Sequence, residues 1–87
     1  MALVSQELYP RMKPLLGEGL EHIVVAAYSD YLVAPTTLTV PDFVAAPRAP
    51  LAAPGVHLWA DALARQLQPG PLTAGPDDLC VMPYTSG

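Results

Sequence analysis

The chain has few cysteines, few cations and little charge overall. Its one cysteine, Cys80, can form no internal disulfide and has no second cysteine to complete a metal-binding pair, which takes a zinc site out of consideration. Arg11, Lys13, Arg48 and Arg65 are the only cations against eight acids, giving a net charge of −4. So little positive charge cannot neutralise several phosphates, and nucleic acid is excluded as a partner. No apolar run approaches the ~20 residues that span a bilayer, and the first residues lack the basic start and long apolar stretch of a secretory signal. No transmembrane segment is expected, and the chain reads as cytoplasmic. Charged residues make up 14 % of the chain, well below the roughly 25 % of an ordinary soluble domain, which rules out a highly charged disordered tail.

What the chain does have is apolar residues and proline. Its 87 residues are 52 % hydrophobic, enough for one small domain, although a chain of this size buries only roughly 60 to 65 % of the surface it exposes when unfolded. Eleven prolines oppose any continuous helical bundle, because each fixes φ and removes a backbone donor. Much of the chain must therefore be loop.

The pattern along the chain predicts alternating strands and helices. Met1 to Val4 form a short apolar run that reads as a strand, and Ser5 can accept hydrogen bonds from the amides of a starting helix. Leu8, Met12, Leu15 and Leu16 then fall on one helical face, predicting a helix over about 7–17 that Gly17 and Gly19 stop. Pro10 and Pro14 sit awkwardly within it and predict a late start or a kink. His22 to Ala27 is a β-branched run without polar alternation, as in a strand covered on both faces of a parallel sheet. The first third is thus a βαβ unit.

Residues 33–57 carry Pro35, Pro41, Pro47, Pro50 and Pro54 without a sustained period, predicting an extended connecting segment. Trp59, Leu63 and Leu67 recur every fourth residue and predict a second helix over about 58–68, closed by Pro69 and Gly70. After a second loop, Asp77 and Asp78 precede Leu79-Cys80-Val81-Met82, read as a further strand. The expected fold class is α/β: a βαβ unit plus a further strand-helix segment, with two or three parallel strands and long proline-rich loops.

Chemistry concentrates where that last strand runs into Thr85-Ser86-Gly87. Small hydroxyl side chains and a glycine let backbone amides wrap a phosphate closely, and α/β sheets bind ligands at the carboxyl ends of their strands. Asp77-Asp78-Leu79 through Pro83-Tyr84-Thr85-Ser86-Gly87 resembles the strand and the start of the Tyr-Thr-Ser-Gly-Thr-Thr-Gly-x-Pro-Lys-Gly loop of AMP-forming acyl-CoA synthetases. His57-Leu58-Trp59-Ala60-Asp61-Ala62-Leu63-Ala64 is similar to the Trp-x-Asp-x-Leu helix found before that loop in long-chain fatty-acid ligases. Val4 to Pro10 and Ile23 to Leu32, with Tyr28-Ser29-Asp30-Tyr31, are similar to bacterial members. The resemblance covers nearly the whole chain, although only its last residues form a diagnostic motif.

The resemblance implies that residues 1–87 are a partial N-terminal AMP-binding domain, a fragment of a larger, mostly parallel sheet. It implies a parent ligase that uses ATP, magnesium and coenzyme A to convert a fatty acid first to an acyl-adenylate and then to a thioester. Thr85, Ser86 and Gly87 would open the loop around the ATP phosphates, whereas the loop lysine, adenine-binding motif, magnesium-binding glutamate and C-terminal lysine of the family would all follow Gly87. No catalytic residue or metal ligand is therefore assigned, no cofactor is expected on the fragment itself, and the fragment is expected to be inactive alone. Its sheet would have open edges, which invite self-association.

The remaining candidates have plainer readings. Cys80 lies in an apolar run with no neighbouring base, as a buried inert thiol would, and nothing in the sequence places His22 or His57 near it. Asp77 and Asp78 read as a turn or solvated edge. Trp59 and the leucines of its helix read as core, and Tyr28 and Tyr31 as caps on the sheet. The alternative to the ligase is a small non-catalytic module that binds a protein partner through its proline-rich surface. An autonomous enzyme has little support, since no acid, base and nucleophile converge in the sequence.

Overall fold

Three short parallel strands form one sheet in the chain, seen here in a computed structural model that describes residues 1–79 and 81. Strand β1 (Ala2–Ser5) pairs with β2 (Ile23–Ala26), and β2 pairs with β3 (Val56–Leu58), so spatial order follows sequence order. Ala2 lies opposite Ile23, and Val24 opposite His57. The mixed α/β class and the initial strand-helix-strand unit are as the sequence predicts. Parallel neighbours need long crossovers, and both are present: 6–22 with a helix, and 27–55 with five of the eleven prolines.

The first crossover shows how Pro10 and Pro14 are accommodated. Helix α1 (Tyr9–Met12) holds Pro10 in its first turn, and a 3-10 turn over Lys13–Leu15 holds Pro14 in the same position. A first-turn amide has no partner within the helix, so a proline there loses nothing. Two short pieces replace the single helix expected over 7–17. Met12 and Leu16 pack toward the core, while Leu8 and Leu15 are 49 % and 44 % exposed. Only half of the expected apolar face is therefore used.

The core is small and lies on one face of the sheet. Tyr9, Ile23 and Val25 are buried, with Val4, Met12, Leu16, Leu20, Leu51 and Val56 packed around them. Alternate β2 residues point to opposite faces, and Val24 and Ala26 on the second face are only half-buried. The expectation of a strand covered on both faces is corrected here. One face has the first crossover against it, and the other is only partly covered by helix α3 (Trp59–Ala64), which contacts β2 and β3.

The segment 33–57 also differs from a plain connection. It contains the helical turn α2 (Asp42–Ala45) and ends in β3, whose Val56 and His57 complete the sheet. A third strand therefore falls at Val56–Leu58, inside the segment expected to be a connection, while the strand expected over 79–82 lies partly outside the described residues. Leu79 and Val81 are exposed and belong to no strand, and Cys80 and Met82 lie outside the described residues. Gly55 makes β3 possible. Its φ of +76° suits glycine, and a Cβ there would stand 2.5 Å from the Glu21 carbonyl oxygen. The expected helix over 58–68 shortens to α3, because Leu58 stays extended in β3 and Gln66 turns to φ +47° just past the helix end. Leu63 and Leu67 are 53 % and 65 % exposed, so the leucines of this helix are not core.

Candidate functional site

In parallel sheets ligands gather beyond the carboxyl ends of the strands, which here means the residues after Ser5, Ala26 and Leu58. Ser5, Ala27, Tyr28 and Tyr31 line an open crevice of about 370 Å³ at the ends of β1 and β2. A 3-10 turn over Tyr28–Tyr31 follows β2 directly and sets the two tyrosines around it. Tyr28 meets the Phe43 ring edge-on at a centroid distance of 6.1 Å, and the Tyr31 hydroxyl accepts a hydrogen bond from Trp59 Nε1 at 2.7 Å. The tyrosines thus lie at the sheet end, as expected, and they also tie together three separate segments.

Two side-chain links hold the proline-rich segment at this end of the sheet. Gln6, one residue past β1, donates through Nε2 to the carbonyls of Pro47 at 3.1 Å and Ala46 at 3.4 Å, and its Oε1 accepts from the Ala49 amide at 2.9 Å. Arg48 donates through Nε to Asp30 Oδ1 at 2.9 Å and forms an ion pair with the same oxygen at 2.8 Å. The hydrogen bond to Asp30, reinforced by its charge, raises the affinity of the Arg48 guanidinium for its proton. Arg48 is 41 % exposed, so the pair serves to position the loop and adds little stability.

A second concavity, about 630 Å³, lies against β2, β3 and α3. Its apolar lining includes Val24, Leu51, Val56 and Leu58, and its polar groups are His22, His57, Asp61 and Arg65. His57 stands opposite Val24 in the register, and His22 is two residues before Val24, so the two histidines share one face of the sheet. Their Nδ1 (His22) and Nε2 (His57) atoms are 3.2 Å apart, and the ring planes are tilted by 53°. The sequence gives no sign of this pair, since 35 positions separate its members. Only the pairing of β3 with β2 brings them together.

The other candidates sort simply. Thr85, Ser86 and Gly87, the expected start of a phosphate loop, lie outside the described residues, as does Cys80. Asp77 and Asp78 are exposed in a turn, where Asp78 Oδ2 accepts from the Gly75 amide at 2.6 Å. This matches the turn expected of adjacent acids. Among the described residues, no helix is long and apolar enough to cross a membrane, and no group of three or more His, Cys, Asp or Glu side chains could enclose a metal ion. No known protein-family model matches the chain, and neither a curated protein nor a solved structure shows significant similarity to it.

Proposed function

We propose that the chain is part of the N-terminal AMP-binding domain of a long-chain fatty-acid-CoA ligase. The observation that carries this reading is the run Asp77 to Gly87 with its terminal Tyr-Thr-Ser-Gly, preceded by Trp59-Ala60-Asp61-Ala62-Leu63. A parallel sheet built from sequential crossovers supports it, because nucleotide-binding α/β domains place their phosphate loops at the carboxyl end of such strands. Exposed apolar side chains add support. Leu3, Val33, Leu38, Phe43, Leu67 and Leu72 all expose more than half of their surface, as residues would whose covering elements belong to a larger domain.

In that parent, Thr85, Ser86 and Gly87 begin the cradle for the ATP phosphates, and the loop lysine and magnesium-binding glutamate follow Gly87. Acyl-adenylate formation needs the metal and several charged groups positioned at once, so the 87-residue chain is inactive alone. The test is the coding sequence past the last codon and the protein it encodes. Continuation with Thr-Thr-Gly-x-Pro-Lys-Gly, and fatty-acid-dependent release of pyrophosphate from ATP by the extended protein, are the expected results. A stop codon at that point, or an extended protein that releases no pyrophosphate, would reject the ligase.

The same reading has the isolated chain self-associate. Among the described residues, β1 and β3 each have one unpaired side, leaving backbone donors and acceptors open to another copy. Light scattering on the purified chain is expected to show mass above that of the 9.2 kDa monomer, rising with concentration. A concentration-independent monomer would contradict it.

A further inference from the structure

We propose that His22 and His57 form a two-imidazole site for one divalent transition-metal ion of the imidazole-preferring class, such as Zn²⁺ or Cu²⁺. Two nitrogens bound to one such ion at about 2.0 to 2.1 Å lie roughly 2.9 Å apart at a right angle and roughly 3.3 to 3.4 Å apart at the tetrahedral angle. The observed separation of 3.2 Å falls between these limits. The two rings are also tilted rather than stacked, at 53°. An ion about 2.05 Å from both nitrogens lies off the line joining them, so each ring swings roughly 40° from a linear hydrogen bond to aim its lone pair at the ion.

The backbone sets this spacing in advance. His57 is held by the β2–β3 pairing, and His22 by its carbonyl, which accepts from the Ala2 amide at 2.9 Å, and by the Ile23 amide that follows it, which donates to Gly55 at 2.8 Å. The two backbones are fixed at neighbouring positions before any ion arrives, so binding orders only the two side chains. In the metal-free pair one nitrogen donates its hydrogen to the other. Binding needs both rings neutral with that hydrogen moved to the far nitrogen of its own ring, which solvent exchange permits because the pair is exposed.

No third His, Cys, Asp or Glu among the described residues lies close enough to complete the set. The remaining coordination positions therefore go to water or to a donor atom of a molecule in the adjoining groove. Such a site is open, unlike the closed four-ligand sites that serve structure alone. A two-histidine site departs from the exclusion of a zinc site drawn from the single cysteine, because two imidazoles need no thiolate. The pair does not depend on the ligase reading, since neither histidine belongs to the phosphate loop.

The test is a calorimetric titration of Zn²⁺ into the full chain carrying Cys80→Ser, which removes the competing thiol, followed by NMR of the imidazole nitrogens. One ion per chain is expected, with shifts at both rings. His22→Gln and His57→Gln should each lower the affinity at least about tenfold, because either change leaves only a single imidazole where two had acted together. The double variant should be little worse than either single one. Mg²⁺, which prefers oxygen ligands, should leave the imidazole resonances unmoved. Circular dichroism checks each variant's fold, and if His57→Gln unfolds, the exposed His22→Gln decides alone. A smaller loss than tenfold, no shift at either ring, or an equal response to Mg²⁺ would overturn the site.

Discussion

Gly55→Ala is expected to abolish cooperative folding or to cut the urea midpoint sharply. Two costs act at one atom. Holding alanine at a φ of +76° costs about 1 to 3 kcal/mol, and the new methyl would stand 2.5 Å from the Glu21 carbonyl oxygen, a backbone atom with little room to retreat. The Gly55 carbonyl also accepts the Ile23 amide at 2.8 Å, so any shift that relieves the clash pulls β3 from β2. A chain of this length has a total stability on the order of 4 to 13 kcal/mol. Gly70→Ala is the internal control, since nothing lies within 4 Å of the added carbon there, and it should be neutral or slightly stabilising. Equal midpoints for the two variants would show that the β3 entry does not have the geometry described.

Ile23→Ala should have the next largest effect, about 2 to 5 kcal/mol. Among the described residues, Ile23 is the one large side chain with no exposed surface, and it sits where Tyr9, Val25 and the surrounding apolar residues meet. A cavity there cannot be filled by neighbours, because the core has so few of them. Leu3→Ala, on the second face and 59 % exposed, should cost less than about 0.5 kcal/mol. Denaturant melts of the pair would measure the contrast directly. Similar losses from both would mean that the second face is buried in solution, for example against another copy of the chain.

The outcome for each element shows which physical signals a sequence carries. β1 and β2 were legible because their apolar runs are uninterrupted and β-branched, and the crossover between them follows from the helical spacing of Met12 and Leu16. Pro10 and Pro14 announced a disturbance, and their placement in two successive first turns is how the chain resolves it. β3 was hidden because Val56-His57-Leu58 is only three residues long, follows Pro54-Gly55, and merges with the helical repeat beginning at Trp59. Local pattern favoured helix at Leu58, and pairing with Val25 overrode it.

The candidate sites divide in the same way. A phosphate-loop motif is contiguous in the chain, so Thr85, Ser86 and Gly87 could be named from sequence, whereas their arrangement is not among the described residues. The His22–His57 pair is the opposite case. It exists only through strand register, and no spacing rule applied along the chain could find it. Gln6 was similarly silent, since a glutamine after a strand carries no message until its partners Ala46, Pro47 and Ala49 are in place.

That glutamine has a wider consequence. Its carboxamide offers one donor group and one acceptor in the same orientation as a peptide unit, so it acts as a single rung of ladder for a stretch that, with a proline in it, could not join a sheet as a full strand. The connection is thereby tethered at Ala46–Ala49, with Phe43 against Tyr28 on one side and Leu51 against the core on the other, instead of by a ladder along its length. Insertions or deletions between Leu32 and Pro41 should therefore be absorbed on the surface, leaving the three strands in register and the urea midpoint little changed.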